Sequence, residues 1–166
     1  MIKGKVKFRP NMVFHVYTHS DRDENIFRED ENYRFFLRRY AKYIAPVART
    51  YAFCLMPNHF HLMIAVRSEK DLKAFSRTKN SQLDPQSFQN FADLVSEQFK
   101  NLLISYAKAF NKKYSRRGKL FAENIKRKPV INSTYYKKLM AYIHQNPIHH
   151  GFVDDVAEWP YSSYHL

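Results

Sequence analysis

The chain is poor in cysteine, glycine and acid, and it has no long apolar run; each lack excludes something. One cysteine, Cys54, is present. A single thiol rules out an internal disulfide framework and reads as a small buried hydrophobe. Only three glycines occur, and neither GxGxxG nor a Walker-type GxxxxGK stretch is found. A glycine-rich loop cradling a nucleotide phosphate is therefore not expected. No apolar run approaches the roughly 18 residues of a membrane-spanning helix. The opening MIKGKVKFRP lacks the apolar stretch of a secretory leader. A reducing, cytoplasmic setting is the expectation. Acid is scarce as well: 15 Asp and Glu face 28 Lys and Arg, for a formal charge of +13. So basic a chain attracts polyanions, nucleic acid foremost, with association at the nucleoid. An anionic membrane surface would compete, but no long basic amphipathic helix stands apart from the core pattern.

Aromatics are abundant, with 14 Phe and 12 Tyr in 166 residues. That composition predicts one globular domain spanning residues 1–166. Residues 12–19, MVFHVYTH, alternate as a half-buried strand, with His15, Tyr17 and His19 on the side opposite Phe14 and Val16. Tyr33, Phe36, Leu37, Tyr40 and Ile44 follow helical spacing up to Pro46. Residues 47–56 and 59–66 read as two strands joined by a Pro57-Asn58 turn. Residues 68–90 are polar and read as a long irregular insertion. Helical spacing predicts a helix from Phe91 to Phe110, a fourth strand is expected over residues 119–130, and a last helix, capped by Asn132 or Ser133, covers 134–146 before Pro147 ends it. EWPYSSYHL reads as a docked irregular tail. The order is βαββαβ with an added C-terminal helix, an α+β ferredoxin-like sandwich built on an antiparallel sheet. In that topology the first and third strands are central. One face of their sheet meets two helices, and the other, carrying His15, Tyr17, His59 and His61, is left uncovered.

The stretch MPNHFHLMI sets two imidazoles on one strand face, about 6–7 Å apart at the backbone. That spacing suits two ligands of one metal ion, although an HxH pattern alone is weak. His15, His19, His144, Gln145 and Asn146 are candidates for a third ligand. The adjacent His149 and His150 follow Pro147 and read as surface. Tyr142 and Asn146 lie one helical turn apart on one face, so a potential nucleophile and a potential ligand converge, with Leu139 and Ile143 fixing the helix by burial. Basic residues cluster at Lys112, Lys113, Arg116, Arg117 and Lys119, and again at Lys126, Arg127 and Lys128. Lys137 and Lys138 follow, with Tyr114, Phe121, Tyr135 and Tyr136 interleaved. Phosphate neutralisation beside base-stacking rings suits single-stranded or hairpin nucleic acid.

YAFCLMPNHFHLMI resembles the signature of the HUH single-tyrosine transposases, and within them the REP-associated tyrosine transposase branch. FHVYTH, AKAFNKKYSRRGKLF, YIHQNPIHHGFV and EWPYSSY resemble further blocks of that branch, in order along nearly the whole chain. The resemblance implies a single-stranded DNA endonuclease and strand transferase. It implies His59, His61 and Asn146 as ligands of Mg²⁺ or Mn²⁺, and Tyr142 as the nucleophile forming a 5′-phosphotyrosine on hairpin-forming DNA. Gln145 is one residue off the ligand position and takes no role. The enzyme is expected as a monomer or homodimer, since Tyr142 could meet the histidines of its own chain or of a partner. The competing expectation is a non-catalytic module that stacks single-stranded nucleic acid on an RNA-recognition-like sheet, for which an HxH and a Tyr-to-Asn helix turn would be superfluous.

Overall fold

A computed structural model describes residues 6–78 and 88–166. Its strands are β1 (Val13–His19), β2 (Ala48–Met56), β3 (His59–Val66) and β4 (Lys126–Pro129). Its α-helices are α1 (Asp30–Ile44), α2 (Glu69–Thr78), α3 (Phe88–Lys113) and α4 (Ser133–His149). The sheet order is β2-β3-β1-β4 and each neighbouring pair is antiparallel. This is the ferredoxin-like order expected, with β1 and β3 at the centre.

Alternation decides which way each strand faces. Phe14 and Val16 of β1, with Phe60, Leu62, Ile64 and Val66 of β3, enter the main core beneath α1 and α3. Phe36 of α1, Phe99 and Tyr106 of α3, and Phe8 before β1 fill the space between. The many aromatics are thus spent on one large core, where they meet edge-on or offset, as Phe27 and Phe36 do at 87°. The helix α1 begins with a reciprocal cap between Glu29 and Asn32, which satisfies backbone donors that the first turn leaves unpaired.

Every residue of β3 is buried, which a sheet with one uncovered face cannot achieve. The reason is α4. It lies across β2 and β3 on the side away from α1 and α3, packing Leu139 and Ile143 onto Ala52, Cys54, Met56 and Met63. The expectation of an uncovered face is corrected accordingly: it is partly roofed. Asn132 caps α4 by accepting from the Tyr135 amide at 2.7 Å. The helix also runs one turn past its expected end, with Pro147 inside it. Proline removes one backbone donor but does not forbid a last turn, which here is closed by His150 N–H donating to the Asn146 carbonyl at 3.1 Å. Gly151, at φ +71°, then reverses the chain in the left-handed region that favours glycine.

Two further expectations change. Residues 69–78 form a helix rather than an irregular insertion, because Leu72 and Ser76, four apart, bury one face of an otherwise polar segment. Residues 79–87 lie outside the described part. The fourth strand spans only Lys126–Pro129. Leu120 and Phe121, buried in the main core, pull residues 119–125 out of regular pairing, leaving one bridge between Ser20 and Phe121. The tail docks as expected, covering the β2 edge: Leu55 N–H donates to the Tyr161 carbonyl at 2.9 Å, and the Trp159 indole donates to the Leu55 carbonyl at 3.0 Å. Among the described residues no helix is long and apolar enough to cross a membrane.

Because Ile143 is fully buried beneath α4, Ile143→Ala is expected to destabilise the fold by about 2–4 kcal/mol in urea titrations. A change below about 0.5 kcal/mol would contradict the packing described for α4.

Candidate active site

The uncovered remainder of the second sheet face is a cleft of about 760 Å³ between the sheet and α4, walled by His15, Tyr17, His59, His61, Lys128, Lys138, Tyr142 and His150, among others. The antiparallel register builds its floor. His15 lies opposite Met63, Tyr17 opposite His61 and His19 opposite His59, so three β1 side chains share a face with the β3 histidines. On β4, Lys128 pairs with His15 and Lys126 with Tyr17, which brings positive charge to the rim of the same face.

His59 and Asn146 form the tightest part of the site. His59 Nε2 lies 3.0 Å from Asn146 Oδ1, and His59 Nδ1 lies 2.7 Å from Asn58 Oδ1. An amide oxygen only accepts, so the Asn58 contact assigns the His59 proton to Nδ1. Nε2 is then a lone pair facing a second lone pair on Asn146 Oδ1. Asn146 is fully buried and its Nδ2 has no partner. A cation shared by the two acceptors satisfies this contact; the amide turned end for end, with Nδ2 donating to Nε2, satisfies it without one. Among the described residues no three His, Cys, Asp or Glu side chains form a metal cluster; the set that converges here is two imidazoles with a carboxamide. Its two imidazole nitrogens and one amide oxygen favour Mn²⁺ over Mg²⁺, which prefers oxygen ligands throughout.

His61 stands beside this pair. Its ring centre is 5.2 Å from that of His59, nearly perpendicular to it, and its Nδ1 is 2.9 Å from His15 Nε2. Burial pulls the pKa of His59 down to about 4 and that of His61 to about 3, and burial followed by the Lys128 charge pulls His15 to about 4. All three rings are therefore neutral at pH 7, and neutral imidazole is the form that ligates metal. The Tyr142 ring centre sits 5.3 Å from that of His61 at 78°, and the residue is 40% exposed. The phenol is open to solvent. The four residues expected at the centre, Tyr142, His59, His61 and Asn146, are thus brought together within one chain.

A protein of Haemophilus influenzae named "Putative REP-associated tyrosine transposase" is 30% identical over 127 residues, covering 70% of this chain and 58% of that relative. Over that span the chain is similar to a REP-associated tyrosine transposase. It spans 58% of the length of the curated relative it matches. No family model matches the chain. A solved structure of a REP-associated tyrosine transposase bound to a REP hairpin shares the fold, with a TM-score of 0.66 over 99% of this chain and 83% of that one, at 15% identity.

The expected basic residues divide sharply. Lys126 and Lys128 lie on the β4 face that carries the cleft, and Lys128 lines it. Arg127 points the other way, over the Phe8 ring at 4.3 Å, with its guanidinium donating to Ser96 Oγ at 2.8 Å. Arg116 is engaged internally: it pairs with Glu24 and donates to Asn111 Oδ1 and to the carbonyls of Arg117, Gly118 and Lys119, so it organises the loop after α3. Lys113 pairs with Glu29. Lys112, Arg117 and Lys119 are exposed, but they do not line the cleft.

From sequence, Lys138 reads only as part of a basic cluster, His150 as surface and Asn58 as a turn residue, yet all three line the cleft. Lys138 and His150 stand four residues before Tyr142 and four after Asn146, so all four form one i, i+4 row on α4. Helical spacing could have found both, but an expected helix end at Pro147 hid His150. Asn58, read as a turn residue, holds His59. His15, weighed as a third ligand, sits beside His61 instead, while Asn146 holds the position facing His59.

With single-stranded oligonucleotide as a polyanion probe of the cleft, Lys128→Ala is expected to weaken binding several-fold and to lower the slope of log affinity against log salt by about 1, with stability unchanged. Arg127→Ala should instead lower the unfolding midpoint and leave the salt slope as it is. Fluorescence anisotropy across a salt series, paired with thermal melts, separates the two.

Proposed function

We propose that the chain is a metal-dependent, single-stranded DNA endonuclease and strand transferase, a transposase acting on hairpin-forming DNA through a 5′-phosphotyrosine. One observation carries this reading: an accessible phenol, Tyr142, and the buried His59–Asn146 pair beside His61 meet in a single basic cleft. The name of the Haemophilus relative and the REP hairpin held by the structural relative support transposition and a hairpin substrate.

A divalent cation bound by His59, His61 and Asn146 would withdraw charge from the scissile phosphate. The chain's own residues do the rest. Lys128 and Lys138, on opposite walls, hold flanking phosphates by charge. They bring the phosphorus within reach of Tyr142, which converts a bimolecular encounter into an intramolecular one. Burial keeps His59 and His61 neutral, so they present lone pairs rather than protons. The Tyr142 oxygen attacks phosphorus in line as the phenol proton departs. The P–O3′ bond breaks, and the leaving oxygen gains a proton to become a 3′-OH. The tyrosine then carries the 5′-phosphate. Attack by another 3′-OH reverses the step, joining a new strand and restoring the phenol. No nucleotide cofactor enters, because the phosphotyrosine conserves the phosphodiester bond energy.

Incubation with a 3′-labelled hairpin oligonucleotide and Mn²⁺ should give a protein–DNA adduct that survives denaturation. The adduct is expected to disappear in Tyr142→Phe and on chelation of the metal. His59→Ala should lose cleavage while keeping hairpin affinity. Absence of any adduct in the unaltered protein, or loss of cleavage and binding together in His59→Ala, would favour a binding module instead.

A further inference from the structure

Each histidine of the HxH pair has one polar neighbour at its Nδ1 edge. For His59 it is Asn58 Oδ1 at 2.7 Å, the residue just before it in sequence. For His61 it comes from another strand: His15 Nε2 on β1, at 2.9 Å. His15 is only 8% exposed and its ring stacks on Tyr17 with centres 4.7 Å apart. The register explains how it reaches: His15 pairs with Met63 and so lies diagonal to His61 on the shared face.

A neutral imidazole carries one N–H, so a single proton occupies the contact between His15 and His61. It has two possible owners. On His15 Nε2, it would force the His61 proton onto Nε2 and remove that nitrogen as a ligand. On His61 Nδ1, it leaves Nε2 as a lone pair. We propose that His15 is the positioning residue of His61: its Nε2 accepts the Nδ1 proton and so fixes the tautomer in which His61 Nε2 can bind a divalent cation. This rests on the reading of His61 as a metal ligand given above. Ligating imidazoles as a rule donate their other N–H to a held acceptor, which sets both tautomer and ring orientation. Asn58 is that acceptor for His59, and His15 fills the same role from across the sheet for His61. A neutral ring there supplies the acceptor without burying a carboxylate charge.

The tautomer is read directly from long-range ¹H–¹⁵N spectra of the metal-free protein at neutral pH. His61 is expected with Nδ1 protonated and Nε2 bare; the opposite tautomer overturns the assignment. Calorimetric titration with Mn²⁺ alone then tests the consequence. His15→Leu, which keeps bulk but offers no acceptor, should weaken Mn²⁺ binding by about 10–100-fold. His15→Gln, whose amide oxygen can accept, should recover most of it with a comparable thermal midpoint. Unchanged binding in His15→Leu, or equal loss in both variants, overturns the role. His59→Ala separates this from the underlying reading. If His59→Ala binds Mn²⁺ as the unaltered protein does, the metal site itself is wrong. If His59→Ala loses binding while His15→Leu keeps it, only the role of His15 fails.

Discussion

The seating of α4 on the second face of the sheet is the contact on which everything else depends. Leu139, Ile143 and Pro147 form one buried i, i+4 row along that helix. Burial of the two aliphatic side chains contributes about 3–6 kcal/mol, enough to hold the helix at one height and one rotation. The adjacent row, Lys138, Tyr142, Asn146 and His150, is thereby turned toward the β3 histidines. A rotation of one residue, about 100°, would send the phenol into solvent and a neighbour into the cleft. Apolar packing beneath α4 therefore determines where the Tyr142 phenol and the Asn146 amide stand.

The sheet supplies the complementary half. Antiparallel register puts His15, Tyr17 and His19 beside His59 and His61, and sets Lys128 at the rim. Burial then does electrostatic work: it depresses the pKa of three imidazoles, so the floor of a strongly basic protein is neutral and rich in lone pairs. Charge is kept at the walls, where phosphates would pass. The proposed function draws on both halves of this separation.

The far end of α4 is tied down by the tail. Ser163 Oγ lies 2.9 Å from His144 Nε2 and accepts from the Phe53 amide at 2.8 Å, so one hydroxyl links α4 to β2. Trp159 packs against the small cluster beneath α4 while its indole N–H holds Leu55. The exposed edge of β2 is closed by the same segment, which removes a row of unpaired backbone groups. Fold stability and site geometry thus share residues at this end of the chain.

Strand alternation and helical spacing made much of this legible in advance. The strands β1 to β3, both long helices, the sheet order and the faces of His15, His59 and His61 all follow from local periodicity. The row of Tyr142 and Asn146 does too, because three or four residues per turn is a property of the backbone. Local patterns were poorest where tertiary burial overrode them: a polar helix at Glu69–Thr78 anchored by Leu72, a proline tolerated within α4, and a fourth strand shortened by the pull of Leu120 and Phe121 into the core. They were silent on how cationic side chains are spent, since Arg116 and Lys128 look alike until one is seen gripping Glu24 and the other facing a cleft. The sequence by itself determined the elements, their order and the residue types available for chemistry, because these depend on near neighbours along the chain. Only the tertiary structure decided that His15 would meet His61 and Asn146 would meet His59, because contacts between residues 46 and 87 positions apart are set by how elements pack, not by any period within them.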